Sequence, residues 1–208
     1  MTYFTEYGSE YLHLLLEHVE ISGLVVVISV ALAVPLGILC SKQRCMETLA
    51  EHLAGALRIV PSLAVLIVSI PILGTGWKPA VLSLVLLAIP PILLNTVQGF
   101  RQLAPEVLEA ADAMGMSRTR KFFRVELPLA FPLLCTGIRT ASVEVIASAT
   151  LAAYIGAGGL GSLIFTGLGL MRVDLLYIGG ISVACLSLLA GFALDKLYRY
   201  GTRYQQNN

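Results

Sequence analysis

Glu-Ala-Ala-Asp-Ala-Met-Gly-Met-Ser-Arg-Thr-Arg-Lys-Phe-Phe-Arg-Val-Glu-Leu-Pro, residues 109–128, closes the longest polar interruption of an otherwise apolar chain. The segment holds four of the 14 Lys and Arg residues, namely Arg118, Arg120, Lys121 and Arg124. Around it, 57% of the 208 residues are hydrophobic and 13% are charged, and the mean hydropathy is +0.82. Soluble domains carry about 25% charged residues. The composition identifies an integral membrane protein. Its segments satisfy their backbone polar groups as helices, so the expected class is all-α. The length fits a single domain, 1–208. A net charge of +1 argues against nucleic acid as a partner. Cys40, Cys45, Cys135 and Cys185 lie in or beside apolar segments with no metal-type spacing, and read as small apolar residues.

Five spans are expected outward from that island. Residues 21–40 are uncharged, and 20 residues at about 1.5 Å each cross a hydrocarbon core of about 30 Å. A second span is expected over 53–73, with Pro61 and Pro71 inside it. The third, 79–97, contains Pro90-Pro91, which should bend it because each proline removes a backbone donor. The loop 98–128 follows. The fourth span, 129–154, carries Arg139 and Glu144. Residues 155–174 are Gly-rich and suit short pieces packed on protein. The fifth span is 175–194.

Five spans place the termini on opposite sides. With the N-terminus outside, 11 of the 14 basic residues fall on the cytoplasmic side, while Lys78 and Arg172 fall outside and Arg139 lies in a span. That asymmetry puts loop 98–128 and the C-terminus in the cytoplasm, with the chain multi-pass in a membrane. The N-terminal acids Glu6, Glu10, Glu17 and Glu20 do not suit a cleavable signal. With Tyr3, Phe4, Tyr7 and Tyr11 they suit an extracytoplasmic lead-in. His13, Glu17 and His18 there read as a solvated helix face, since two imidazoles and one acid make a poor metal site.

Within the loop, Leu103, Val107, Ala110 and Met114 recur at helical spacing. Pro105 fits a first turn, Gly115 a helix stop and Ser117 the cap of a second helix. Leu127-Pro128 should turn the chain back into the membrane. The pattern gives a helix–Gly–helix hairpin along the inner face. It serves either to meet a soluble partner or to rest on anionic lipid.

Glu109-Ala110-Ala111, three residues, Gly115, nine residues, then Val125-x-Leu127-Pro128 resembles the cytoplasmic signature of ABC-importer permeases, Glu-Ala-Ala-x3-Gly-x9-Ile-x-Leu-Pro. Val125 in place of Ile is the only departure. Three further stretches resemble the osmoprotectant branch, which carries glycine betaine, carnitine and choline: 57–64 (Leu-Arg-Ile-Val-Pro-Ser-Leu-Ala), 137–141 (Gly-Ile-Arg-Thr-Ala) and 150–161 (Thr-Leu-Ala-Ala-Tyr-Ile-Gly-Ala-Gly-Gly-Leu-Gly). The resemblance covers roughly 50–195. It implies a type I importer permease working by alternating access. The hairpin residues Glu109, Ala110, Ala111, Gly115, Leu127 and Pro128 would couple it to an ATPase dimer. It also implies a second permease subunit, identical or paralogous, and an extracytoplasmic binding protein. No Gly-x4-Gly-Lys-Ser/Thr motif occurs, so ATP and Mg are expected on the partner and no cofactor on this chain. The chain would be a transport subunit and no enzyme. The alternatives are an importer of the same fold for another solute, such as methionine or a thiol-betaine, and a membrane protein without transport function.

Gly156-x-Gly158-x-x-Gly161 formally matches a dinucleotide fingerprint, but no strand precedes it and topology puts it outside. Close backbone packing near an outer gate is the expectation. Glu144, Asn95, Ser148 and Thr150 are candidates to line a transport path. Asn95, Thr96, Ser148 and Thr150 better suit hydrogen bonds between helices, and Glu144 equally suits a hydrogen bond or ion pair inside the bundle. Trp77, Tyr154, Phe165 and Tyr177 suit interfacial anchoring better than a cation cage.

Overall fold

The computed structural model describes residues 7–59 and 62–201, with the side chains of Tyr200 and Gly201 left aside. Tyr3, Phe4, Glu6 and Pro61, which figured in the expectations above, lie outside these residues. The described chain is helical: α1 (Gly8–Ser41), α2 (Arg44–Ile59), α3 (Ser62–Leu73), α4 (Trp77–Arg101), α5 (Pro105–Ala113), α6 (Arg118–Lys121), a π-helical turn (Phe122–Glu126), α7 (Leu127–Ser148), a 3-10 stretch (Ala149–Ile155), α8 (Gly161–Gly169) and α9 (Val173–Gly201). Four segments are long and apolar enough to cross a membrane: Gly8–Ser41, Trp77–Arg101, Arg118–Ile155 and Val173–Arg199.

The centre is α4. Its buried residues include Ala80, Leu84, Ala88, Ile92, Thr96 and Gly99, spaced by three or four, and its paired Pro90 and Pro91 are also enclosed. Helix α4 runs through both prolines without interruption. Two neighbours approach it through glycine. A Cβ on Gly37 of α1 would stand 2.7 Å from Thr96 Cβ, and one on Gly137 of α7 would stand 2.7 Å from Asn95 Cβ and 2.8 Å from the Pro91 carbonyl. Lipid offers no hydrophobic drive between helices, so such close backbone contact is what holds them together. Ile21, Val25 and Ala33 of α1, Leu84, Ala88 and Ile92 of α4, and Ala141 and Val145 of α7 form the main core. A smaller cluster joins Ile146, Leu160, Leu163, Leu175 and Val183 beneath α8 and α9. Outward faces stay apolar: Val27, Leu32 and Leu36 on α1, and Ile181, Leu188, Leu189 and Phe192 on α9, are exposed. That is the surface a hydrocarbon solvent requires.

Three expectations need correction. The lead-in is no separate segment. Helix α1 begins at Gly8 and is 34 residues long, and Tyr11, Leu14, His18, Ile21, Ser22 and Val25 continue one inward stripe. The second span is broken: α2 and α3, whose axes differ by 85°, are long and apolar enough for one crossing only as a pair. Helix α2 begins ahead of the expected bound, at Arg44; of Arg44, Glu47, Glu51, His52 and Arg58 only Arg58 falls within 53–73, and Glu47 pairs with Arg101 of α4 at 3.0 Å. Leu127-Pro128 makes no turn, because the chain passes from α6 through the π turn into α7 as one helical run.

Candidate functional site

The reversal at 105–128 is built by local chemistry. Pro105 opens α5, where its missing N–H costs nothing. Helix α5 closes in a Schellman arrangement. Met116 N–H donates to the Ala111 carbonyl at 3.2 Å and Gly115 N–H to the Asp112 carbonyl at 2.9 Å, with Gly115 at φ +70°. Ser117 then caps α6, accepting from Arg120 N–H at 3.4 Å. Lys121 Nζ reaches back to both Asp112 oxygens, at 2.7 and 2.8 Å. The hairpin is thus clasped at its turn by backbone and at its sides by an ion pair.

Its faces differ from the expected pattern. Ala111 is buried, at 1% exposure, whereas Val107 is 41% and Met114 69% exposed. Glu109 and Ala110 are exposed as well. The stripe Val107–Ala110–Met114 therefore points away from the chain, and Leu108 with Ala111 points inward. Periodicity finds a stripe but cannot say which neighbour it faces. Leu127 is half-buried and Pro128 exposed. Leu127 N–H donates five residues back, to Phe122. A proline at 128 would press its ring on the carbonyl four back, at Arg124, and the wider turn relieves this.

The path candidates sit on α4, α7 and the 3-10 stretch. Glu144 and Ser148 are one turn apart on α7 and half-buried. Neither has a polar partner among the described residues. Asn95 Nδ2 donates to Pro91 at 2.8 Å, Thr96 Oγ1 to Ile92 at 2.7 Å, and Thr150 Oγ1 to Ala147 at 2.7 Å. These three bond their own backbone, not a neighbouring helix, which corrects the expected interhelical role. Arg139 is paired, with Asp195 of α9 at 3.2 Å.

At the other end, α1 is tied to the Gly-rich turn. Gly159 N–H donates to Glu17 at 2.9 Å. His18, 1% exposed, meets the Ile146 carbonyl through Nε2 at 2.9 Å. The solvated-face reading fails for His18. Gly156, Gly158 and Gly159 all adopt positive φ, near +80°, and Gly161 starts α8 hard against the Thr150 backbone. Gly161 thus serves backbone packing, and Gly158 and Gly159 make room for Glu17 and His18. Sequence inspection missed this network, although His18 shares the i, i+3, i+7 register of Ile21 and Val25. Tyr154 and Phe165 pair at 5.5 Å, while Trp77 and Tyr177 are exposed and have no ring contact among the described residues.

Residues 33–203 match the family described as the binding-protein-dependent transport system inner membrane component. The chain belongs to this family. Relatives of this permease include the carnitine transport permease protein OpuCB of Listeria monocytogenes, 42% identical over 95% of this chain and 90% of that protein. The choline transport system permease protein OpuBB of Bacillus subtilis is 37% identical over 90% and 86%. The glycine betaine/carnitine/choline permease OpuCB of the same organism is 36% identical over 93% and 89%. The permease superposes on the MetNI methionine ABC transporter in inward-facing form with a TM-score of 0.80 at 20% identity, over 92% of this chain and 96% of that one. The fold is that of a type I ABC importer permease, a multi-pass protein of the plasma membrane.

Proposed function

We propose that this permease is the membrane subunit of an ATP-driven importer of quaternary-amine osmoprotectants: glycine betaine, carnitine and choline. The observation that carries the reading is the hairpin. It is a doubly clasped reversal that turns Val107, Glu109, Ala110 and Met114 outward, in a chain 42% identical to a carnitine permease. Such a face suits a groove on an ATPase subunit. Glu109, Ala110, Ala111 and Gly115 form the coupling element, and Leu127-Pro128 joins it to α7. Two ATPase subunits would each hold one hairpin of a permease pair. ATP and Mg belong to those subunits, and this chain performs no covalent chemistry. The hairpin end and the C-terminus face the cytoplasm. The Gly-rich end faces a separate binding protein outside. Glu144, with Asn95, Ser148 and Thr150, lines the path at the interface of the two permeases. Closure of the ATPase pair would draw the hairpins together and open the outer side.

The test is ATP-driven uptake of labelled glycine betaine by proteoliposomes holding the chain, its ATPase and its binding protein, with choline and carnitine as competitors. Uptake blocked by quaternary amines is expected. ATP hydrolysis with no quaternary amine carried would leave the importer standing and remove the substrate assignment.

A further inference from the structure

Where α1 ends, its last turn and the start of the second hairpin limb enclose a cleft of about 530 Å³. Its apolar wall is Ile38, Phe122 and Phe123, and its polar rim is Lys42, Arg118 and Glu126. Lys121 also reaches it, but that ammonium is taken by both oxygens of Asp112. Lys42 and Arg118 are exposed, and neither makes an ion pair among the described residues. Against the one carboxylate of Glu126 they leave the rim net positive. Phe123, at 61% exposure, stands in the open beside them. Phe122 is held from behind by Phe100, stacked at 5.8 Å and 3°.

The cleft stands at the end of a helix long and apolar enough to cross a membrane, with Ser41 its last residue and Lys42 the first beyond it; a basic residue just past such a span belongs at the headgroups. At that depth, aromatic side chains meet glycerol and upper acyl chain, and cations meet the headgroup. We infer that this cleft is a binding site for one anionic phospholipid of the phosphatidylglycerol or cardiolipin class. Its phosphodiester sits between Lys42 and Arg118, and its glycerol and acyl stem lie along Phe122, Phe123 and Ile38. An occupied site would brace the base of the hairpin against α1 and make its position depend on the charge of the bilayer. An acidic segment of the ATPase is a weaker fit, because it would leave the aromatic wall without an apolar partner.

The test is native mass spectrometry of the intact permease–ATPase complex released from nanodiscs of phosphatidylglycerol and phosphatidylcholine in equal parts, with bound lipids counted. Retained phosphatidylglycerol is expected. The Lys42→Gln and Arg118→Gln variants should each weaken its retention about fivefold, from roughly 1 kcal/mol per basic residue at an anionic surface. Glu126→Gln should strengthen it, and inorganic phosphate at equal concentration should not displace it. The inference falls if the Lys42→Gln/Arg118→Gln double variant keeps its lipid. It falls equally if Lys196→Gln, a basic residue outside the cleft, loses as much, or if lipid is retained only when the ATPase is absent. Hydrolysis by the same complex, measured in parallel, reports separately on whether the hairpin holds its ATPase.

Discussion

Gly115 shows how much one position can carry. Its φ of +70° is open to glycine at no steric cost, while an added Cβ costs about 1–2 kcal/mol. Nothing lies within 4 Å of where that Cβ would be, so the penalty is conformational alone. Gly115→Asn, which tolerates this region, should keep most uptake. Gly115→Val should cut ATP-driven uptake several-fold with the protein still in the membrane. Full uptake by Gly115→Val would remove the coupling role of the hairpin. The glycines inside helices behave oppositely to one another. Gly137→Ala would force a Cβ into Asn95 and the Pro91 carbonyl, at about 1–3 kcal/mol of overpacking. Gly23→Ala meets nothing within 4 Å and should stabilise by up to about 1 kcal/mol through helix propensity. Thermal unfolding in detergent should therefore shift down for the first and slightly up for the second. Gly115 was legible because a helix stop before Ser117 has a local chemistry. Gly137 was not, because its reason lies on another helix. His18 was misread for the same cause: an imidazole among acids looks solvated until Ile146 is seen beside it.

Among the elements, the hairpin came closest to what local rules foretell. Pro105, Gly115 and Ser117 occupy the positions expected of them. The clasp between Asp112 and Lys121 was not foreseen, since the two are nine residues apart across a turn. Their pair is part-exposed, with side-chain exposures of 18% for Lys121 and 58% for Asp112, so its worth is at most about 1 kcal/mol. Asp112→Lys should loosen the hairpin, read as faster amide exchange over 105–121, and the exchanged pair Asp112→Lys with Lys121→Asp should restore protection. An unchanged exchange pattern in Asp112→Lys would show the turn to be held by its backbone alone. Where the sequence was read as one span, 53–73, the fold has α2 and α3. The pair is still apolar enough for one crossing, but its bend was not legible, and the charges of α2, one of which pairs with α4, show where it starts.

Across the whole molecule, the apolar composition and the crossing segments, four unbroken and a fifth in the bent pair α2–α3, were plain from hydropathy, because lipid leaves a chain few alternatives. The order of packing around α4 was not, because it is written in close approaches such as Gly37 against Thr96 and Gly137 against Asn95. Inhibition of uptake by charge loss within the path would test the polar line on α7. Glu144→Gln should lower the transport rate while ATPase binding is kept, and an unaltered rate would take Glu144 out of the path.

The π turn at Phe122–Glu126 joins the two ends of this machine, and it has a consequence for rotational phase. A regular α-helix would fit one residue fewer into the same arc. If the turn slipped into α register without losing a residue, everything before it would swing by about 100° and advance about 1.5 Å relative to α7. The outward stripe of the hairpin would then look in the wrong direction. Pro128 stands in the way, because in α register its ring would strike the Arg124 carbonyl. Pro128→Ala removes that stop. Spin labels placed on Glu109 and on exposed Leu188 of α9 should then report two separations where the parent reports one. Pro128 would thus act as the key that keeps two screws cut to the same thread.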